Sequence, residues 1–179
     1  MKQKKIGDVT VEIVEGNIVT QPDITAIVNA ANGFLAPGGG VAGAIHRAAG
    51  PGLYEECKPL APIRTGECVI TGGHNLPNRY VIHCLGPVYG KDKPEAELLA
   101  SCYRNALKLA EENEIESVAF PAISAGIFGY PLEDATRVAL KTVFELLPTL
   151  KSVKRIRFVL FDKNGYDVYD RILNEITAK

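Results

Sequence analysis

Two glycine-bearing segments, Pro37-Gly38-Gly39-Gly40-Val41-Ala42-Gly43 and Pro121-Ala122-Ile123-Ser124-Ala125-Gly126-Ile127-Phe128-Gly129, hold the residues best suited by type and spacing to meet a charged ligand. Each follows a short apolar run and opens toward a helical pattern. Backbone without Cβ atoms comes close to an anion and offers it N–H donors, and a helix start adds a favourable dipole. Two such loops suit one pyrophosphate gripped from both sides. Side chains for other chemistries are scattered. Cys57, Cys68, Cys84 and Cys102 form no C-x-x-C pair and the three histidines no H-E-x-x-H, so no metal site is expected. Cys68, Cys84 and His83 lie in apolar runs and read as core. Ser124 lacks the G-x-S-x-G elbow of a nucleophile.

The elements that must position these loops alternate. Val9 to Val14 alternates apolar and polar like a half-solvated strand, and Thr25–Ala30 and Ser117–Phe120 are apolar runs suited to strands buried on both faces. Cys68–Thr71, Tyr80–Leu85 and Ile156–Phe161 add three more. Leu98, Leu99, Cys102, Tyr103, Ala106, Leu107 and Ala110 recur at helical steps. A further helix is predicted from Pro131 to Pro148 and a last one from about Tyr166 to Ile176. This rhythm predicts an α/β fold: a three-layer α/β/α sandwich around a mixed, largely parallel sheet, forming one domain over residues 1–179.

Composition narrows the partners. The 179 residues carry a formal net charge of −1, and near-neutrality argues against a nucleic-acid backbone as ligand, which needs clustered Lys and Arg. Met1-Lys2-Gln3-Lys4-Lys5 leads into no apolar segment and no run is long enough to span a bilayer, so a cytoplasmic monomer is expected. In parallel sheets ligands sit at the carboxyl ends of strands. Both glycine loops fall at such ends, as do Asn29 and Asn32 after Val28, and Phe161-Asp162-Lys163. That crevice suits a nucleotide diphosphate.

Asn29-Ala30-Ala31-Asn32, Gly38-Gly39-Gly40-Val41-Ala42-Gly43-Ala44-Ile45, Ile82-His83-Cys84-Leu85-Gly86-Pro87 and the segment from Phe120 to Gly129 together resemble the macrodomain family, whose modules bind ADP-ribose. The resemblance spans nearly the whole chain and is closest to stand-alone and viral-type branches with a Gly-Val-Ala loop. It implies that Asn17 and Ile18 address adenine, with Val19 beside them in the ligand site, and that Phe161 packs against adenine. Asn32 would hydrogen-bond the distal ribose, Gly39, Gly40, Val41 and Ala42 would wrap that ribose and one phosphate, and Ala30, Ala31 and Gly38 would line the same ligand site. Ser124, Ala125, Gly126, Ile127 and Phe128 would cover the pyrophosphate.

Two departures from the family pattern stand out. Most members carry aspartate where this chain has Asn17, and hydrolase branches place an aspartate where it has Ala42. The resemblance implies hydrolysis of mono-ADP-ribose esters on acidic protein residues, and of O-acetyl-ADP-ribose. Asn32, Gly40 and Phe128 would position the substrate, whose own phosphate would activate water without a cofactor. The partners implied are ADP-ribose and mono-ADP-ribosylated proteins. A non-catalytic ADP-ribose reader stays open, because the first loop has no carboxylate. A nicotinamide-dependent oxidoreductase is the third reading, since Gly38-x-Gly40-x-x-Gly43 matches the dinucleotide fingerprint. Its context is wrong: nine residues separate the fingerprint from Val28, and the acids that follow, Glu55 and Glu56, are not at a strand end.

Overall fold

Strands with apolar side chains on both faces occupy the middle of the sheet. The computed structural model describes residues 1–178 and has seven strands: β1 (Lys2–Ile6), β2 (Val9–Glu15), β3 (Ala26–Ala30), β4 (Cys68–Gly72), β5 (Tyr80–Cys84), β6 (Ser117–Phe120) and β7 (Arg155–Leu160). Their spatial order is β1-β2-β7-β6-β3-β5-β4. The pairs β2–β7, β7–β6, β6–β3 and β3–β5 are parallel. Only the edge strands β1 and β4 pair antiparallel.

Helices α1 (Gly40–Ala49) and α2 (Pro51–Cys57) cover one face of the sheet, and α3 (Glu95–Glu112), α4 (Leu132–Leu146) and α5 (Lys163–Thr177) cover the other. Strand alternation feeds both layers. Ala26 and Val28 of β3 join the core under α3, α4 and α5, whereas Ile27 joins Ile45, Ala49 and Leu53 on the opposite side. This is the expected three-layer sandwich with a largely parallel sheet. Among the described residues no helix is long and apolar enough to cross a membrane.

Two details differ from the sequence expectation. The basic start becomes edge strand β1. Its Lys4 Nζ donates to Thr177 Oγ1 of α5 at 2.6 Å, and exposed charges along an open edge oppose pairing with another chain. Pro131 is the N-cap of α4 rather than its first helical residue, and Pro148 lies in a 3₁₀ turn over Leu147–Thr149. The connection from β2 to β3 crosses the α1–α2 face over residues 16–25 without a helix, pinned by Arg157. That buried guanidinium binds Glu12 Oε1 at 2.9 Å, Gln21 Oε1 at 2.8 Å and both Asp23 oxygens at 2.9 and 2.7 Å.

Candidate functional site

Four neighbouring parallel strands, β2, β7, β6 and β3, release the chain at the same end of the sheet, and every proposed contact segment begins there. Asn17 follows β2, Phe161 follows β7, the Ser124 loop follows β6, and Asn32 with its glycine loop follows β3.

The first loop is shaped by its own backbone. Asn32 Oδ1 accepts from the Ala36 N–H at 3.0 Å while its Nδ2 donates to the Ala36 carbonyl at 2.9 Å. The amide is thus fixed in orientation, with one N–H and one lone pair left over. Gly38 then folds its carbonyl onto helix α1 at Gly43, where a Cβ would collide with that oxygen. Gly39 caps the helix with no side-chain hydrogen bond, and Gly40 has φ of +57°. The N–H groups of Gly38, Gly39, Gly40, Val41 and Ala42 have no acceptor among the described residues. Only the next N–H, Gly43, finds one, in Gly39 O at 3.2 Å. The helix therefore starts as an uncapped fan of donors.

The second loop turns on Ser124, which has φ of +66° and is buried. Its carbonyl accepts from Tyr130 N at 2.9 Å, and Phe128 O accepts from Tyr89 N at 2.8 Å. Gly86 lies so close beneath that a Cβ there would strike Ser124 Oγ, which explains the glycine in Leu85-Gly86-Pro87. The N–H groups of Gly126, Ile127 and Phe128 have no acceptor among the described residues. A Cβ built on Gly39 would stand 3.9 Å from Ile127 Cδ1, so the two loops meet across one gap.

Apolar exposure concentrates at the same rim. Phe161 is 87% exposed, Ile127 86% and Phe34 71%, large values for such side chains. Phe161 is thus not core, although it directly follows an apolar strand. Ile18, Ala31, Ala42 and Ser124 are buried, Val19, Ala30, Val41, Ala125 and Phe128 half-buried, and Asn17, Gly38, Gly39, Gly40 and Gly126 exposed. Phe34 escaped the sequence reading. Its exposure follows from the turn at Leu35, which is buried with φ of +56°, and nothing in Gly33-Phe34-Leu35 as residue types announces that turn.

Asn29 departs from its expected place. It pairs in register with His83 on the α1–α2 face, and its Nδ2 lies 3.1 Å from His83 Nδ1. His83 Nε2 meets Thr71 Oγ1 at 2.9 Å, and the ring of His46 is 6.5 Å away. Burial, then the nearby His46, pushes the His83 pKa down to about 3, so the ring is neutral in the fold. Asn29 is a strut beneath α1 rather than a lining residue.

Comparison with known proteins fits this geometry. The Macro domain family model matches residues 28–139. The chain belongs to the macro domain family. The macrodomain is 51% identical over 156 residues to a macro domain-containing protein of Chlorobaculum tepidum, covering 87% of this chain and 91% of that protein. It is 48% identical over 164 residues to the ADP-ribose glycohydrolase MACROD2 of Xenopus laevis, covering 90% of this chain but 39% of that protein. Among solved structures, a mutant Oceanobacillus iheyensis macrodomain with ADPR superposes with a TM-score of 0.95 at 40% identity, covering 99% of each chain. The Trypanosoma brucei macrodomain in complex with ADP-ribose gives 0.85 at 40% identity, covering 91% of this macrodomain and 68% of that chain.

Proposed function

We propose that this macrodomain binds ADP-ribose across the carboxyl ends of β2, β7, β6 and β3 and hydrolyses mono-ADP-ribose esters on acidic protein side chains. The observation that carries the reading is the order of those four ends. Strands lie about 4.8 Å apart, so three intervals span about 14 Å, the reach of an extended dinucleotide-like ligand. Along that line the chain presents an amide at Asn17, an aromatic face at Phe161, unpaired N–H groups at Gly126–Phe128, and a second fan of N–H groups at Gly38–Ala42 beside Asn32. Base, pyrophosphate and distal ribose follow in that order. The glycohydrolase activity of the MACROD2 relative and the ligand of the Oceanobacillus iheyensis protein support the same reading.

In the proposed reaction a water oxygen attacks C1″ of the distal ribose, the bond from C1″ to the ester oxygen breaks, and the protein carboxylate leaves. The water proton passes to a phosphate oxygen of the ligand. Asn32, locked by Ala36, orients the ribose, while Gly40 and Phe128 confine it. Donors from both loops hold the phosphate charge, so rate comes from positioning and fixed dipoles. O-acetyl-ADP-ribose presents a related acyl ester to the same site.

Release of free ADP-ribose from a glutamate-modified protein tests the reaction, with Gly40→Glu as the disrupted control. Release above that control supports hydrolysis. Calorimetric binding without release supports the second reading, a non-catalytic reader, which the buried Ala42 methyl in a loop without a carboxylate favours.

A further inference from the structure

We infer that Asn17 makes this site select a 6-oxopurine, the base of an inosine or guanosine diphosphate ribose, over adenine. The inference rests on the proposed ligand orientation and adds the identity of the base.

The Asn17 amide is occupied at its oxygen end. Asn17 Oδ1 accepts from the Val19 N–H at 3.1 Å, closing a turn over three residues. An amide nitrogen cannot accept from an N–H, so this contact fixes the orientation: oxygen inward, NH₂ outward. The turn is well supported. The Asn17 carbonyl accepts from Thr20 N at 3.0 Å, Thr20 Oγ1 at 3.1 Å and Gln21 Nε2 at 2.9 Å, and Gln21 is itself held by Arg157. The next residue adds a further donor, because the Ile18 N–H has no acceptor among the described residues.

The segment sits beside the aromatic face. Glu15 and Leu160 are register partners, and Gly16 N donates to Leu160 O at 2.8 Å, which sets Asn17 and Phe161 at adjacent strand ends. An exposed aromatic ring stacks any base and does not choose among them. The choice falls to hydrogen bonds on the base edge, and here the protein offers donors. With its N7 edge toward Asn17 and the Ile18 N–H, a 6-oxopurine presents two adjacent acceptors, O6 and N7. Adenine presents its 6-amino donor there, which would face the Asn17 NH₂ donor to donor. A carboxylate at position 17 would accept from that amino group instead.

Calorimetric titration of the full chain with ADP-ribose, inosine diphosphate ribose and guanosine diphosphate ribose tests this, repeated on Asn17→Asp. The wild type should bind the inosine ligand about fivefold more tightly than ADP-ribose or better, and Asn17→Asp should reverse the order. The guanosine arm, which differs in its 2-amino group, tells which 6-oxopurine is taken. Equal or tighter binding of ADP-ribose by the wild type overturns the inference, as does a ratio unchanged in Asn17→Asp. Failure of all three ligands to bind instead overturns the proposed function beneath it.

Discussion

The two ends of the central strands are built from different materials. At the carboxyl ends the chain shows peptide groups: glycine, N–H donors without an acceptor among the described residues, and three exposed apolar side chains. At the amino ends a groove of about 640 Å³ is lined mainly by charges, Lys5, Asp8, Asp23, Glu116, Lys154 and Arg155 among them. Two of these, Asp23 and Arg155, are engaged in ion pairs. Arg155 lies 3.5 Å from Asp23, and the Arg157 guanidinium holds the Asp23 pKa below the usual carboxylate range. The charged end fastens the fold, whereas the end made of bare backbone leaves its hydrogen-bonding capacity unspent. A region rich in charge is thus not the region best equipped to take a charged ligand.

Removing the buried cation is the strongest way to break this contrast. Arg157→Leu takes from buried Glu12 its 2.9 Å guanidinium contact, leaving it Gln3 Nε2 at 3.0 Å and Arg155 Nε at 3.9 Å, and should cost about 3 kcal/mol in urea unfolding, with the Glu12→Leu, Arg157→Leu pair recovering most of it. At the other end the matching test is Gly40→Glu. Its side chain would enter the open space above Gly40 and oppose phosphate, at a backbone cost of about 1–2 kcal/mol from the φ of +57°, and ADP-ribose affinity should fall by about 100-fold or more while circular dichroism keeps the native spectrum.

A third test concerns the strut beneath the first loop. His83 is neutral in the fold with a pKa of about 3, against about 6.5 when exposed, so the unfolded chain takes up the proton first. The stability gained from keeping it neutral is complete above about pH 6.5 and is lost as pH falls toward 3, by up to about 1.4 kcal/mol per pH unit. Denaturant midpoints measured across that window should show the slope, and His83→Gln should flatten it. The smallest effect sharpens the contrast. With backbone donors rather than lysines gripping the ligand, raising salt from about 50 to 500 mM should change ADP-ribose affinity by less than about threefold. A much steeper dependence would point to side-chain cations.

The sheet was legible where burial repeats along the chain. Ile27 and Val28 announce a strand covered on both faces, and Leu99, Cys102, Tyr103 and Ala106 announce the stripe of α3. β1 was not legible, because Lys2, Gln3, Lys4 and Lys5 hide a strand whose half-buried stems lie against a helix far away in sequence. Both loops could be found from their glycines, but their convergence depends on β6 and β3 being neighbours, which is a property of strand order. Asn29 illustrates the same limit. One residue decides whether a side chain at a strand end turns toward the cleft or beneath a helix, and only the partnership with His83 reveals which.

The helix-free span between β2 and β3 has a consequence for how this protein can diversify. Because it is anchored from below through Gln21 and Arg157 and shares no residue with either glycine loop, its tip can be exchanged like the bit of a tool while the handle stays put. On the proposed ligand orientation, base preference and anion grip would then be inherited separately, and a short graft at positions 16–20 should transplant one without disturbing the other.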